Sequence, residues 1–294
     1  MTLILYVTKA DGQRQLYHRE KVVKTCLRLG SSQEVADKVA DEVEKSLYDG
    51  METREILQLI FKILGRYRPS VRYQICLRRG LSLLKSQPDF ERFIQILLRE
   101  HGYDVKPNQI IRGRCVEHEV DAVASKEGRT YIVEVKHHHN YHALTGLDEG
   151  RIARAVFEDI TEGFEDGLND LKVDKAMIIC NTKFSRHAER YTKCRGILKI
   201  GWNSPPGNSL QNMVDEKNLY PITCLKGLTV ETREKLTSAG VLLLKQLTTR
   251  KLGAISRDTG LPRATLAQLA EQAQMLKDTP SAEAKESHSN SPLS

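Results

Sequence analysis

Two stretches that alternate between apolar and polar residues, separated by a Glu-Gly pair, constrain the fold of this chain most strongly. They are residues 116–124 and 130–136, and a period of two residues is typical of β-strands. Between them lie Glu127 and Gly128, where a glycine allows the tight turn of a two-residue hairpin. The sequence therefore predicts an antiparallel hairpin whose register is fixed by this turn.

Three charged residues share one face of the predicted hairpin. Asp121 lies directly across from Glu134 in this register, and directly opposed residues have Cβ atoms ~5 Å apart. Lys136 follows two residues after Glu134 and projects from the same face, ~6.6 Å further along the strand. Because opposed carboxylates repel each other, the arrangement favours a bound cation between them.

The chemistry of these residues predicts a hydrolytic metal site. Mg²⁺ accepts one or two protein carboxylates and leaves its other positions to water and substrate phosphate. We therefore predict that Asp121 and Glu134 bind Mg²⁺ or Mn²⁺, and that Lys136 holds or activates the attacking water. The alternative is a hairpin face with an acid–lysine arrangement and no metal, because spacing alone is weak evidence.

Predicted strands and helices alternate around the hairpin. An amphipathic helix with Asp89 as its candidate N-cap opens the segment. The other predicted elements are strands at 103–105, 176–180 and 197–200 and helices at 148–164 and 185–194. This order predicts an α/β domain with a mixed sheet over residues 89–222.

The N-terminal segment, residues 1–88, is predicted to form a mostly helical domain. A strand pair at residues 3–8 and 15–17 precedes three amphipathic helices. The second helix follows a capping box at Ser31 to Glu34, and the third is predicted to end at Gly65.

The C-terminal segment is predicted to be helical as well, over residues 223–277, with helices at 231–239, 242–247 and 264–276. Residues 278–294 are polar and contain no aromatic residue, so we predict a disordered tail there. The fold class of the whole chain is therefore α/β and multidomain.

The net charge of +7 is distributed unevenly over these segments. Residues 1–88 carry a net charge of +6, residues 89–222 carry −2 and residues 223–275 carry +4. Basic ends around an acidic centre fit a polyanionic partner such as DNA, although a solvated basic surface would give the same charges. Without an apolar stretch of ~20 residues, we expect no membrane span and a cytoplasmic protein.

Five of the nine histidines lie between His118 and His142. A structural zinc site is disfavoured, because the tract offers no separated Cys or His partners. Two roles stay open for the remaining histidines, namely contact with phosphate and plain exposure to solvent.

From Phe90-Glu91-Arg92-Phe93 through Asp121 to Glu134-Val135-Lys136, the middle segment resembles the PD-(D/E)xK nuclease superfamily, in particular its Mrr-like restriction-endonuclease branch. The resemblance assigns Glu91 to the glutamate that this family carries on its first helix, and it gives catalytic roles to Glu91, Asp121, Glu134 and Lys136. Val120 precedes the acid where the family often has proline, and three histidines follow the lysine.

The N-terminal segment resembles the ATP-cone, a regulatory nucleotide-binding module. Val7-Thr8-Lys9, Asp11-Gly12 and Gly50-Met51-Glu52-Thr53 carry this resemblance, with a basic helix ending near Lys85. It implies that Lys9, Lys21, Thr53 and Lys85 bind ATP or dATP. Ala10 and Gln15 stand where the family usually has a basic and an acidic residue. The chain lacks a Walker-type phosphate loop, so binding without hydrolysis is expected.

The segment CLKGLTVETREKLTSAGV resembles a helix-hairpin-helix unit, with Leu225, Gly227 and Leu228 in the hairpin and Lys235 on the following helix. Backbone amides at such a hairpin hold a DNA phosphate without reading sequence. Paired helices of this kind also bind proteins, so both partners stay open.

Together these features predict a metal-dependent DNA endonuclease that ATP or dATP regulates and that can form a homo-oligomer. The alternative of another class is a catalytically silent, nucleotide-sensing regulator that only binds DNA. A repair nuclease selective for DNA structure would share the chemistry and differ in substrate alone.

Overall fold

The computed structural model describes residues 5–68, 71 and 75–277. The chain divides into two compact units: the described residues of Met1–Ile75 together with those of Leu225–Ser294, and the segment Cys76–Cys224. The sequence-based division has three folded segments instead, and residues 76–88, which it assigned to the N-terminal segment, belong to the second unit. The predicted disordered tail, 278–294, lies outside the described residues.

The first unit begins with a small sheet and three helices. Strands β1 (Tyr6–Thr8) and β2 (Arg14–Leu16) form the predicted antiparallel hairpin, and β3 (Met51–Glu52) pairs with β1 in parallel. The helices are α1 (Arg19–Arg28), α2 (Gln33–Lys45) and α3 (Thr53–Tyr67). Their buried faces form one core, which includes Val22, Cys26, Val39, Val43, Ile60 and Leu64.

Two predicted boundaries in these helices were wrong. The N-cap of α2 is Ser32 rather than Ser31, because the Ser32 hydroxyl accepts a hydrogen bond from the Val35 N–H at 3.4 Å. Helix α3 continues past Gly65 to Tyr67, since Gly65 does not adopt the left-handed conformation that ends a helix.

The C-terminal part of the first unit contains four helices. They are α9 (Val230–Ser238), α10 (Leu244–Thr249), α11 (Leu252–Thr259) and α12 (Arg263–Lys277). Helix α10 begins two residues later than predicted, because the Gln246 side chain accepts hydrogen bonds from the N–H groups of Leu242 and Leu243. Helix α11 was not predicted.

The second unit is built on a five-stranded mixed sheet. The strands are β4 (Asp104–Arg112), β5 (Glu117–Lys126), β6 (Arg129–Lys136), β8 (Lys175–Cys180) and β10 (Leu198–Ile200), in the order β10-β8-β6-β5-β4. The pairs β4–β5 and β5–β6 are antiparallel, whereas β6–β8 and β8–β10 are parallel. A separate parallel pair joins β7 (Leu144–Thr145) to β9 (Lys183–Phe184). The mixed α/β sheet confirms the predicted fold class for this segment.

Helices cover the sheet of the second unit. They are α4 (Leu77–Ser82), α5 (Glu91–Glu100), α6 (Leu147–Glu165), α7 (Arg186–Cys194) and α8 (Leu210–Lys217). Ala153 of α6 and Ala188 of α7 pack with Val123, Ile132 and Ile178 of the sheet in one buried cluster. Helix α5 packs against β4 and β5.

The prediction that Asp89 caps α5 was wrong. Residues Ser86–Phe90 form an irregular turn, with Gln87 in a non-helical conformation, that runs directly into α5, and the helical residue Phe90 takes the N-cap position. Asp89 is buried inside this turn. Phe90, Phe93 and Leu97 are fully buried, and each such side chain contributes ~1.5–3 kcal/mol of burial free energy, so the start of α5 is held firmly.

Among the described helices, none combines the length and the apolar character that crossing a bilayer requires.

Candidate active site

The hairpin formed by β5 and β6 has the predicted register. Its pairs run from Lys126 opposite Arg129 to Ala122 opposite Val133. Glu127 and the following glycine both have positive φ angles, of 52° and 74°, as a type I′ turn requires. The local turn chemistry thus fixes which residues of the two strands meet at the far end of the hairpin.

Asp121 lies one residue beyond the last paired residue of β5, opposite Glu134. Its carboxylate accepts a hydrogen bond from the Val135 N–H at 2.6 Å. The ladder between β4 and β5 also omits Asp121 and its neighbour Asn108, which has a φ of 47°. This local break lets the Asp121 side chain turn toward the β6 backbone, so the residue is tied to β6 by its side chain.

Glu134 and Lys136 lie on the face of β6 that α6 covers. The Lys136 Nζ is 2.7 Å from Glu134 Oε1 and 3.5 Å from Glu149 Oε2 of α6. Glu149 was not predicted as a site residue, because nothing in the local sequence connects α6 to the hairpin. The Lys136 ammonium is thereby held between the carboxylates of Glu134 and Glu149.

The charges of these residues act on one another. Burial, together with the carboxylates of Glu134 and Glu91, raises the pKa of Asp121 to about 7, against the opposing effects of the Val135 N–H and the charge of Lys136. Burial lowers the pKa of Lys136, but its hydrogen bond to Glu134 and the nearby acids outweigh this and raise it overall. The acids repel one another, which a cation at this position would relieve.

Helix α5 contributes Glu91 and a residue that the sequence analysis missed. Glu91 is buried, and burial together with the charges of Glu119 and Glu134 raises its pKa. One turn later, Gln95 is also buried and donates to the Asp121 carbonyl at 3.3 Å and to Asn108 Oδ1 at 3.4 Å. The signal was available in the sequence, because Glu91 and Gln95 are four residues apart on an otherwise apolar stripe.

The donor set fits a hard divalent cation bound by two carboxylates. Asp121 and Glu134 offer only oxygen atoms, as Mg²⁺ and Mn²⁺ prefer. Within the described residues, no group of three or more His, Cys, Asp or Glu side chains is arranged to hold a metal. A cation here would therefore keep most of its positions for water and phosphate.

The histidines after Lys136 pack against the protein. His137 Nε2 lies 3.0 Å from the Leu81 carbonyl and His137 Nδ1 lies 3.0 Å from Ser86 Oγ. His139 Nδ1 is 3.2 Å from the Ser82 carbonyl. Burial lowers the pKa of His137 to about 4, so this ring is neutral and fastens the strand end to α4. The hypothesis of plain solvent exposure is wrong for His137, because both of its ring nitrogens lie within hydrogen-bond distance of protein atoms.

His118 and His138 also have defined partners. His118 Nε2 lies 2.8 Å from the Asp159 carboxylate of α6. The backbone of His138 exchanges two hydrogen bonds with the side chain of Asn181, both of 2.8 Å. The His138–Asn181 bonds hold the end of β6 against the end of β8, whereas the His118–Asp159 contact joins β5 to α6.

The residues predicted to bind nucleotide are distributed over different places. Lys21 and Thr53 both line a cavity of about 260 Å³ between α1, α3 and the small sheet of the first unit. Gln15 also lines this cavity, and the Lys21 Nζ donates to its Oε1 at 3.4 Å. Lys9 lies in the turn between β1 and β2, outside the cavity lining. Lys85 belongs to the second unit.

Lys235, on the helix that follows the predicted hairpin of the C-terminal segment, has an acidic neighbour. The Lys235 Nζ lies 2.7 Å from Glu231 Oε1, one turn earlier in α9. Gly227, in the predicted hairpin, has a φ of 84°.

Two family models match separate parts of the chain. Residues 84–200, which contain the hairpin and its acids, match the restriction endonuclease family. Residues 220–277 match the family described as AF1548-like, C-terminal. The second unit therefore contains a restriction endonuclease-like domain.

Similar proteins come from an archaeon. An uncharacterized protein of Archaeoglobus fulgidus is 37% identical over 152 residues, which are 51% of this chain and 81% of that protein. A second uncharacterized protein of that organism is 45% identical over 42 residues, or 14% of this chain and 89% of that protein. A crystal structure titled as a protein of unknown function, AF1548, has a TM-score of 0.54 and 32% identity, covering 63% of this chain and 94% of that one.

Proposed function

The chain belongs to the AF1548-like family and carries a restriction endonuclease-like domain at residues 84–200. From this we propose that it is a metal-dependent DNA endonuclease. The carrying observation is the constellation at the hairpin end. Asp121 and Glu134 lie next to the last residue pair of the hairpin, Ala122 and Val133, and the Lys136 ammonium is 2.7 Å from Glu134. This combination of two carboxylates and a cation suits phosphodiester hydrolysis.

Each residue of the candidate site has a separate role in the proposed phosphodiester hydrolysis. Asp121 and Glu134 would hold Mg²⁺ or Mn²⁺, which when bound polarises the phosphate and lowers the pKa of its water. Lys136 orients the attacking water and offsets negative charge that develops on the phosphate. Glu149 and Glu134 hold Lys136 in its charged form. Gln95 positions Asp121 through the carbonyl of that residue.

A cleavage assay on linear, nicked and branched DNA, with and without Mg²⁺, tests this function. Asp121→Asn and Lys136→Met should each abolish cleavage, because one removes a metal ligand and the other the charge beside it. Asp104→Asn is the matched control, since it removes one carboxylate from an exposed position on β4 of the same sheet. Equal rates for Asp121→Asn and Asp104→Asn would refute the assignment. A parent protein that binds DNA but never cleaves it would favour the silent regulator.

We further propose that the N-terminal segment, residues 1–88, is an ATP-cone that binds ATP or dATP and regulates the nuclease. The cavity lined by Lys21 and Thr53 supports this, because a lysine beside the start of a helix suits a triphosphate. Regulation requires that the nucleotide bind two states of the protein with different affinity.

Calorimetry with dATP tests the nucleotide proposal. Lys21→Ala should weaken binding, whereas Lys24→Ala should not, because Lys24 is exposed on the same helix and does not line the cavity. Cleavage rate should change over the same nucleotide range. Equal affinities of the two variants would remove the assignment of Lys21.

A further inference from the structure

One arginine of the second unit lies against two aromatic rings. The Arg78 guanidinium of α4 lies 5.8 Å from the centre of the Tyr141 ring and 5.6 Å from the centre of the Trp202 ring. Both distances are within the ~6 Å at which a cation is attracted to a ring face. All three side chains are half-buried. The rings therefore fix the guanidinium at the surface of the domain.

Arg78 has no acidic partner within the part of the chain that the structure describes. Its Nε is buried and makes no hydrogen bond to a described residue. Burial lowers the pKa of Arg78, and the groups that act against this are Cys76 and Tyr141 rather than a carboxylate. By contrast, Arg114 binds both Glu162 and Asp166. A partly desolvated cation without a counter-charge is costly, and an anion would complete the site.

The cluster lies at the same edge of the sheet as the candidate catalytic lysine. Strands β6, β8 and β10 are parallel, so their carboxyl ends share one edge. Lys136 ends β6, Tyr141 follows it by five residues, and Trp202 follows the end of β10 by two residues. In open α/β sheets, ligands bind at this edge.

Hydrogen bonds fix the segment that carries Trp202. The Trp202 N–H donates to the Thr182 carbonyl at 2.9 Å, and the Thr182 hydroxyl lies 2.8 Å from the hydroxyl of Thr145. Thr145 in turn lies 3.3 Å from His138 Nε2, two residues after Lys136. The Trp202 backbone is thus connected through hydrogen bonds to His138, which lies two residues after the candidate catalytic lysine in the sequence.

We propose that Arg78, Tyr141 and Trp202 bind a phosphate of a DNA strand whose neighbouring base is unpaired and stacks on one of the two rings. The site rests on the proposed endonuclease function and assigns its substrate class: DNA with unpaired bases, as in single strands, flaps and junctions. Aromatic faces beside an arginine are the usual stacking platform for such strands. A continuous duplex offers protein only the edges of its bases.

Fluorescence anisotropy without divalent cations tests the site, because binding can then be measured whether or not cleavage occurs. The probes are a labelled single-stranded oligonucleotide and the blunt duplex of the same sequence. Arg78→Met should weaken single-strand binding about tenfold, and Trp202→Ala about fivefold or more. Trp202→Phe keeps a stacking ring and should stay within about twofold of the parent. Duplex binding should change by less than about twofold.

Arg129→Met is the matched control. It removes one positive charge from an exposed position at the opposite end of β6, so it measures the general effect of charge on DNA binding. Single-strand binding that is equal in Arg78→Met and Arg129→Met would overturn the proposal. Equal losses for single strand and duplex would overturn the stacking of an unpaired base. Displacement of the oligonucleotide by submillimolar inorganic phosphate would indicate a free-anion site and would also overturn it.

Two further comparisons keep the test decisive. If Arg78→Met does not fold, as judged by its thermal midpoint, the pair Trp202→Ala and Trp202→Phe decides the proposal alone. If the parent cleaves DNA while Arg78→Met and Trp202→Ala leave single-strand binding unchanged, only this inference fails. If the parent binds but never cleaves, the endonuclease function fails, and the binding comparison still decides the inference.

Discussion

Replacing Asp121 by asparagine should abolish cleavage and at the same time raise the stability of the fold in the absence of metal. The folded protein disfavours a negative charge on Asp121, because burial and the nearby carboxylates raise the pKa of this residue from 3.8 to about 7. Asparagine keeps an oxygen that can accept the Val135 N–H. The substitution therefore removes the unfavourable charge and retains the hydrogen bond.

The expected gain follows from the pKa of the folded state. A tenfold change in proton affinity corresponds to ~1.36 kcal/mol, so a rise from 3.8 to about 7 corresponds to at most ~4 kcal/mol. Asp121 is half-buried, and solvent screening reduces this to ~2 kcal/mol. In a chain of this size, ~2 kcal/mol raises the thermal midpoint by roughly 4–8 °C.

The sign of the pH dependence is also fixed. The pKa of Asp121 is higher in the folded protein than in the unfolded chain. Relative to Asp121→Asn, the parent is therefore most stable below pH 3.8, and it loses this stability as the pH rises to about 7. Asp121→Asn should therefore exceed the parent in stability above pH 7, and the difference should vanish near pH 4.

Scanning calorimetry in chelator, at pH 8 and near pH 4, measures both effects on the transition of the second unit. Asp104→Asn serves as the control that removes an exposed carboxylate. Added Mg²⁺ should stabilise the parent and not Asp121→Asn, since a ligand stabilises only the state that binds it. A variant that is less stable than the parent at pH 8 in chelator would contradict the reasoning, because Asp121 would then support the fold.

Three further predictions concern the surroundings of the site. The apparent affinity for Mg²⁺ should fall about tenfold per pH unit below about 7, because Asp121 must lose its proton to bind metal; calorimetric titration at several pH values checks this, and a flat profile would contradict it. Gln95→Leu should lower kcat ~10- to 100-fold with unchanged DNA affinity, because it removes the donor that positions Asp121; a change in KM alone would assign Gln95 elsewhere. His137→Ala should cost ~1–3 kcal/mol of stability through its bonds to Leu81 and Ser86, and an unchanged thermal midpoint would refute that structural role.

The hairpin could be predicted because its determinants are local. The positive φ angles at Glu127 and Gly128 follow from the turn, and the turn alone fixes the register that brings Asp121 opposite Glu134. Helix α7 was predicted for a similar reason, since the Ser185 hydroxyl caps it within the same turn.

The contacts that complete the site could not be read in the same way. Glu149 reaches Lys136 only because α6 packs across β6, and His137 finds the Leu81 carbonyl through tertiary structure. The partners in each pair are at least 13 positions apart in the chain, with no periodic pattern connecting them. Asp89 failed as a cap because the irregular turn Ser86–Phe90 runs directly into α5, so that the helical residue Phe90 takes the N-cap position.

A plasmid cleavage assay with the parent, Asp121→Asn, Glu134→Gln, Lys136→Met and Asp104→Asn tests the central claim most directly. In Mg²⁺ the parent and Asp104→Asn should convert supercoiled DNA to nicked or linear forms at similar rates. The three site variants should be at least ~100-fold slower, and chelator should stop the parent. Cleavage by the site variants at the parent rate would contradict the account.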